Sequence, residues 1–193
     1  MERERPGRFI SLEHHFLIAT PGLRDAAFAD SVIYLCRHTP EGAMGLRVNH
    51  CLDVTLRELF LHLNLPSDGA DADRLLLAGG PVRGEWGFVL HQHGGRRWQS
   101  MLEVAEGVVL TASRDIIEAM ATGAGAPERS LVALGYAGWG AGQLEAELAA
   151  NAWLTAPAAT ELLFEAPVED RARLAAARIG VDLTKLSSCA GRA

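Results

Sequence analysis

The sequence predicts an α+β fold: one domain with a mostly antiparallel, partly barrel-like β-sheet flanked by helices, and a helical C-terminal third. Short apolar segments of strand length outnumber helices through the first two-thirds, and segments rich in Ala, Leu and Glu dominate the end. Hairpin-type turns join several strands, which favours antiparallel pairing over a repeating βαβ arrangement. We predict a single domain over residues 1–193, with flexible ends at 1–10 and 187–193.

Strands are predicted where β-branched, aromatic and other apolar residues form short runs between turn residues. Pro21 and Gly22 end the first of these runs, and Glu41 with Gly42 forms the turn of a hairpin between the second and the third. The run at 103–111 is long enough for one strand or two. The predicted strands are 15–19, 31–38, 44–49, 75–78, 86–93, 103–111 and 131–136.

Helices are predicted where apolar residues recur with a helical period, or where the composition is rich in Ala, Leu and Glu. Thr55 or Asp53 caps the first helix. Ser113 caps the second, and Asp115 in its first turn suits the positive end of the helix dipole. The predicted helices are 55–63, 113–121, one that starts near Gln143, 158–165 and 169–179.

The chain carries 18 basic and 24 acidic residues, for a formal net charge of −6 and a pI near 5.6. This acidic balance argues against a nucleic-acid binder that works through a basic face. Arg96 and Arg97 are adjacent, but they form no extended basic run, and a solvated surface explains them. No helix-turn-helix with basic recognition residues is visible, so we do not expect direct binding of nucleic acid.

The three cysteines, Cys36, Cys51 and Cys189, are odd in number and lack the spacing of a disulfide framework. The N-terminal sequence MERERPGRF is charged, and no apolar segment typical of a signal peptide follows it. No run approaches the roughly 18–20 apolar residues that span a bilayer. We therefore expect a protein of the reducing cytoplasm, without a membrane partner.

The most informative segment is SLVALGYAGWGAGQLEAELAANAWL, residues 130–154. It predicts a buried strand, then a glycine-rich turn that carries Tyr136 and Trp139, and then a helix. The glycines around Trp139 could hold its ring over a pocket or a partner. Positive φ angles in a bend before a helix are the favoured explanation.

Polar residues on the predicted helix share one face, because Gln143, Glu147 and Asn151 recur every four residues. They could line a polar pocket, or they could satisfy backbone groups of a neighbouring loop, and the pattern favours neither. Together with Tyr136 and Trp139 of the preceding turn, they are the first choice for a ligand-binding site.

Gly79 and Gly80 follow a predicted strand and precede Pro81. A glycine-rich loop can bring backbone N–H groups to a phosphate, which makes the pair a second candidate for ligand binding. The sequence matches neither the P-loop nor the dinucleotide-binding motif, and no helix signal follows. A tight turn between strands is therefore the favoured interpretation.

Two pairs of metal-ligating residue types alternate along predicted strands: Cys36 with His38, and His91 with His93. Each pair is expected on one face of its strand, and neighbouring strands would bring four zinc ligands together. Nothing in the sequence places the two strands side by side, so no metal and no other cofactor is assigned. The favoured role of Cys36 is that of a small buried apolar residue.

No catalytic residue is assigned, because no coherent catalytic set is visible. The nucleophile elbow GxSxG is absent. Ser113 and Asp115 stand close together, but a helix N-terminus explains both of them, and no base is tied to them. His91 would serve as that base only if the fold brought it close.

Several motifs run in order along nearly the whole chain, and together they are far more specific than one short match. They are HFLIATPGLRDAAFADSVIYLCRHTPEGAMGLRVN at 15–49, AGGPV at 78–82, GFVLH at 87–91, LTASRD at 110–115 and LGYAGWGAGQLEAELAANAWL at 134–154. On these motifs the chain resembles the YqgE/AlgH family of conserved bacterial proteins. The resemblance implies a cytosolic α+β domain and an association with regulation, through a proposed regulator of alginate synthesis. It carries over no catalytic residue, cofactor or substrate.

The sequence therefore favours a cytosolic regulatory or interaction protein that binds an unknown protein or small molecule and is not an enzyme. The whole-length resemblance and the lack of a catalytic set support this hypothesis. The alternative is a small-molecule or nucleotide binder, with or without catalysis, whose pocket lies at GYAGWGAGQLE, residues 135–145.

Overall fold

A computed structural model describes residues 9–23, 25–67 and 71–186. Of the ends predicted to be flexible, 1–8 and 187–193 lie outside the described residues. Within the described ranges the strands are β1 His15–Ala19, β2 Val32–Thr39, β3 Gly42–Arg47, β4 Cys51–Thr55, β5 Leu75–Ala78, β6 Val82–Gln92, β7 Met101–Ala105, β8 Val108–Thr111, β9 Ser130–Gly140 and β10 Trp153–Pro157. The helices are α1 Leu56–His62, α2 Arg114–Thr122, α3 Gln143–Ala149, α4 Thr160–Phe164, α5 Arg171–Ala177 and α6 Leu183–Leu186.

Strand β9 lies at the centre of the sheet and joins its two parts. The strands follow the order β10-β1-β2-β3-β9-β6-β8-β7, while β5 branches from β9 and carries β4. The C-terminal half of β9 pairs with β3, whereas its N-terminal half pairs with β5 and β6. Among the described strands only β5 and β9 run parallel. The sheet curls into a half-barrel, which confirms the predicted α+β class and mostly antiparallel sheet.

Helices and apolar side chains cover both faces of the sheet. We call the face that carries Phe16, Tyr34 and Leu90 the inner face, and α4 and α5 pack against it. On the opposite, outer face, α1 and α2 pack against β5, β6 and β9. The third helix, α3, packs on the outer face of β1, β2, β3 and β9. Buried strand positions therefore alternate between two apolar layers instead of between core and solvent.

Gly79 and Gly80 lie where the chain after β5 crosses β9 at very short range. The N–H of Gly79 donates to the carbonyl oxygen of Leu134 at 2.8 Å. A Cβ atom on Gly79 would lie 2.2 Å from the carbonyl oxygen of Gly135, and one on Gly80 would lie 2.2 Å from the carbonyl carbon of Tyr136. The pair therefore forms a tight strand crossing, and its contacts are with backbone atoms of β9.

The structure departs from the prediction around the end of β9. The segment predicted as a glycine-rich turn continues as strand as far as Gly140, because its backbone pairs with β3. Helix α3 ends at Ala149, since Asn151 adopts a left-handed φ of 55° that a helix cannot continue. The chain then forms β10, where the sequence predicts no strand.

Two further findings concern the strand before α1 and the cap of that helix. Strand β4 was not predicted, and its alternation of exposed and half-buried residues is typical of a weakly covered edge. Of the two proposed caps, Thr55 is the residue that caps α1. Its hydroxyl accepts from the N–H of Glu58, and the Glu58 carboxylate accepts from the N–H of Thr55, which completes a capping box.

The crossing at Gly80 is open to a direct test with Gly80→Ala. The added methyl group would overlap the backbone of β9, and Gly80 has a φ of +157° that L-residues rarely adopt. We expect the free energy of unfolding, measured by urea denaturation, to fall by about 2–4 kcal/mol. The control is Gly84→Ala, where a Cβ atom would meet nothing within 4 Å. Equal unfolding midpoints for the two variants would contradict the role of the crossing.

Candidate functional site

The predicted polar face of α3 is organised around the carboxylate of Glu147. Its Oε2 atom accepts from the indole N–H of Trp139 at 2.9 Å and from the indole N–H of Trp153 at 2.7 Å. Its Oε1 atom accepts from the side-chain amide of Gln143 at 3.0 Å. The carboxylate oxygens therefore satisfy donors of the protein itself, two of which belong to buried aromatic residues.

The other two polar residues of that row, Gln143 and Asn151, form hydrogen bonds that involve backbone groups. The side-chain oxygen of Gln143 accepts from the N–H of Gly140 at 3.1 Å, which ties the start of α3 to the end of β9. Asn151 lies beyond the helix in a left-handed turn, where its carbonyl oxygen accepts from the Thr20 hydroxyl at 2.8 Å. The structure brings Gln143 and Glu147 together with Trp139 but leaves Asn151 apart from them.

The role of Glu147 predicts the effect of Glu147→Gln. The amide has a single acceptor oxygen, and its NH₂ group would face an indole N–H in place of a carboxylate oxygen. We expect a loss of about 1–3 kcal/mol in the free energy of unfolding, followed by tryptophan fluorescence during urea denaturation. Glu161→Gln is the control, because that side chain is exposed. A change of less than about 0.5 kcal/mol for Glu147→Gln would contradict the assignment.

Tyr136 does not share this environment, because the side-chain alternation of β9 changes at Gly135. Leu131 and Ala133 face the inner layer, and Gly135 then takes a left-handed φ of +70°. The following residue, Tyr136, therefore also faces inward, whereas Trp139 faces the outer layer. The two aromatic residues that the sequence assigned to one turn lie on opposite faces of the sheet.

An open groove lies on the inner face beside Tyr136, and we call it the inner-face groove. Its volume is about 920 Å³, and the residues that line it are Arg37, Thr39, Glu41, Gly42, Ala43, Met44, Val82, Trp86, Phe88, Tyr136, Gly138 and Trp139. Arg37 pairs with Met44, and Met44 pairs with Gly138, so these three positions lie in one row across β2, β3 and β9. Gly138 adds no side chain to this row, and the edge of the Tyr136 ring covers it, 3.1 Å from the position of a Cβ atom.

A bulge in β6 forms one wall of the inner-face groove. Val82 pairs with Tyr136 and Gly87 with Leu134, so four residues of β6 lie opposite the single residue Gly135. The bulge carries Arg83 and Trp86. Arg83 has a left-handed φ of 49°, and its guanidinium carbon lies 4.2 Å from the centre of the Trp86 ring.

The aromatic rings of the groove differ in exposure. Trp86 is 47% exposed, whereas Trp98, Trp139 and Trp153 are at most 8% exposed. The ring of Phe88 meets the ring of Tyr136 edge-on, with 5.8 Å between the ring centres. Trp86 is thus the one tryptophan of the four that presents a large apolar surface to solvent.

The polar groups of the groove are unevenly paired. The Thr39 hydroxyl, the backbone N–H of Glu41 and the positive charge of Arg37 lower the pKa of Glu41. Arg37 forms no ion pair within 4.0 Å among the described residues. Within the same part of the chain, no protein group accepts from or donates to the Tyr136 hydroxyl. Donor groups of Arg37 and Tyr136 therefore remain available at the groove.

The four residues considered as zinc ligands are not assembled. A bulge between Leu35 and Arg37 shifts the alternation of β2, so Cys36 lies in the inner layer while His38 pairs with Ala43 of the outer layer. The predicted shared face of Cys36 and His38 is therefore wrong. Strands β3 and β9 separate β2 from β6, which carries His91. In the described ranges, no three His, Cys, Asp or Glu side chains are placed to hold a metal ion.

Each of the buried members of that set has a structural partner. His38 accepts from the N–H of Leu12 through Nδ1 at 2.9 Å, and its Nε2 lies 2.9 Å from the carboxylate of Glu145. His91 contacts the carbonyl oxygen of Gln92 and the hydroxyl of Thr111, and burial lowers its pKa. Burial also raises the pKa of the Cys36 thiol far above its usual value, which keeps the thiol protonated and unreactive.

The side chains of Ser113 and Asp115 are hydrogen-bonded to each other at the start of α2. The Ser113 hydroxyl donates to Asp115 at 2.6 Å and accepts from the N–H of Ser100. Partial burial opposes ionisation of Asp115, but hydrogen bonds from Ser113, Gln99 and Ile116 hold its pKa below the usual value. Ser113 stands at the predicted N-cap position of α2, but its hydroxyl makes no capping hydrogen bond to the helix. The pair instead joins the start of α2 to the backbone of residues 99 and 100.

Comparisons with known proteins identify the family. A family model described as AlgH-like matches residues 16–184. The chain belongs to the AlgH-like family. A UPF0301 protein of Saccharophagus degradans is 51% identical to this AlgH-like protein over 190 residues, which cover 98% of this chain and 93% of the relative. A second UPF0301 protein, from Thioalkalivibrio sulfidiphilus, is 52% identical over 180 residues, 93% of this chain and 96% of the relative. The resemblance stated from the motifs is confirmed.

Solved structures show the same fold. The solution structure of the AlgH protein from Pseudomonas aeruginosa matches this AlgH-like protein with a TM-score of 0.77 and 45% identity, over 100% of both chains. The crystal structure of protein DIP2367 from Corynebacterium diphtheriae matches with a TM-score of 0.70 at 22% identity, over 97% of this chain and 95% of the other. In the described part of the chain, none of the helices has the length and apolar character to cross a membrane.

Sequence reasoning missed most of the groove. It named Tyr136 and Trp139 but not Arg37, Met44 or Trp86, because these residues come from strands that are distant in sequence. One signal was available in the segment GYAGWG. Tyr136, Gly138 and Gly140 recur there every second residue, which is the period of one face of a strand.

Proposed function

We propose that this AlgH-like protein is a regulatory protein that acts by binding a partner molecule in the inner-face groove, without catalysing a reaction. The observation that carries the proposal is the groove itself. It offers about 920 Å³ beside an exposed tryptophan, with Phe88 and Tyr136 as further aromatic lining. Concave sites with aromatic walls and a few polar groups are typical of ligand binding.

The chemistry of the groove supports binding more than catalysis. The side chains of Arg37, Thr39, Glu41 and Tyr136 are its polar lining, and they include no histidine or cysteine. Glu41 is the one carboxylate among the described lining residues, and its lowered pKa does not suit a general base at neutral pH. A serine-type nucleophile with a base is also missing from this lining.

The regulatory part of the proposal comes from the family. The solved relative from P. aeruginosa carries the name AlgH, which links it to alginate, and we propose that this link reflects a regulatory role. With a net charge of −6, direct contact with nucleic acid is disfavoured. We therefore propose that the protein acts in the cytoplasm on a regulatory process through a bound protein or small molecule.

A complementation experiment tests whether the groove is needed. A bacterium that lacks its own copy of the gene would receive the wild-type chain, Gly138→Leu or Trp86→Ala, and its transcripts would be profiled. Leucine at position 138 fills the groove, and a Cβ atom there lies 3.1 Å from the edge of the Tyr136 ring, a side chain that can shift. We expect both groove variants to leave the deletion profile largely uncorrected.

The matched control is Gly94→Leu, which introduces the same side chain where a Cβ atom meets nothing within 4 Å. It is expected to restore the wild-type profile. Immunoblots and thermal melts would establish that each variant accumulates and folds. Full restoration by folded Gly138→Leu and folded Trp86→Ala would contradict a role for the groove.

A further inference from the structure

We infer that the inner-face groove binds a small planar aromatic molecule that carries a carboxylate or a phosphate group. The inference rests on the proposed binding role of the same groove, and it adds the chemistry of the ligand. It follows from three features of the lining: an exposed ring platform, aromatic and thioether groups beside it, and donors that no group of the described residues uses.

The ring platform is Trp86. It is 47% exposed, and Arg83 stacks at 4.2 Å from its centre, which holds the indole in place from the side of the bulge. Arg83 itself adopts a left-handed φ of 49°, a strained conformation that the bulge maintains. An exposed indole of this kind favours stacking with a planar ring, because every aromatic ring offers a π-face.

Aromatic and thioether groups lie beside this platform. Gly138 pairs with Met44 of β3, and the edge of the Tyr136 ring covers it, 3.1 Å from the position that a Cβ atom would take. Phe88 and Tyr136 form an edge-on pair next to it. A flat ligand in the groove would therefore contact aromatic and thioether groups.

The anionic group follows from the donors. Arg37 lies in the same cross-strand row as Gly138, is exposed, and forms no ion pair within 4.0 Å among the described residues. Its planar guanidinium suits carboxylate and phosphate oxygens, to which it can donate two hydrogen bonds at once. The Tyr136 hydroxyl is a second donor at the groove. The only carboxylate of the described lining, Glu41, is stabilised by the Thr39 hydroxyl and, more weakly, by the charge of Arg37.

The size of the groove is consistent with a small molecule. Its volume of about 920 Å³ falls within the roughly 300–1,000 Å³ typical of small-molecule sites. A mononucleotide and an aromatic carboxylic acid share the required chemistry, a planar ring with an anion attached. The probes below distinguish these two sources.

The test is a titration of the ¹⁵N-labelled full chain, followed by NMR, with AMP and 1-naphthoate as probes. Adenosine supplies the ring without the charge, and ribose 5-phosphate supplies the charge without the ring. We expect at least one charged aromatic probe to shift the Trp86 indole N–H and the Gly138 amide signal. Its affinity should exceed that of the matching fragments by about tenfold or more. Trp86→Phe assigns the indole signal.

Two arginine variants test the anion contact. Arg37→Gln should reduce the affinity for the charged probe to that of its uncharged ring, and Arg37→Lys should restore part of the difference. Arg173→Gln is the control. Arg173 is an exposed arginine of α5 that forms an ion pair with Asp170, just before that helix. Its binding should equal that of the wild type.

Binding of AMP alone would identify a nucleotide-type ligand, and binding of 1-naphthoate alone an aromatic carboxylate. The inference is overturned if none of the probes shifts the groove signals at millimolar concentration, or if the shifts map to another surface. If Gly138→Leu nevertheless fails in cells while folding normally, the ligand class is wrong and the regulatory role of the groove stands. If Gly138→Leu functions normally, the proposed function fails independently of the probes.

Discussion

The close crossing of the chain after β5 over β9 is the constraint on which the rest of the fold depends. At Gly79 and Gly80 two backbones meet at distances that leave no room for a Cβ atom. The same strand, β9, pairs with β5 and β6 in one half and with β3 in the other. A shift at the crossing would therefore move both parts of the half-barrel relative to each other.

A second consequence of this crossing is the change of side-chain alternation at Gly135. Its left-handed φ lets four residues of β6 lie opposite one residue of β9, and it turns Tyr136 toward the inner face. Ala137 and Trp139 then face the outer layer, where the indoles of Trp139 and Trp153 both donate to Glu147. Residues 135–140 thus contribute to the hydrogen bonds around Glu147 on the outer face and to the open groove on the inner face.

The two faces of the sheet also differ in how their polar groups are paired. On the outer face a half-buried carboxylate accepts hydrogen bonds from two indoles and an amide, so its charge stabilises the packing of α3. On the inner face, Arg37 and the Tyr136 hydroxyl have donors for which the described residues provide no acceptor. The groups available to bind another molecule therefore lie on the inner face, whereas the polar residues of α3 lie on the outer face.

The sequence by itself determined the family, the α+β class and most strand and helix positions, because each depends on local composition, period and motif order. It also indicated a helix cap at Thr55 or Asp53 and a tight turn at Gly79 and Gly80. It did not reveal that Tyr136 and Trp139 face opposite ways or that Cys36 and His38 separate. Those outcomes depend on bulges, and a bulge is stabilised by pairing between distant strands. Only the tertiary structure could decide them, since it alone brings β2, β3, β6 and β9 together around the groove.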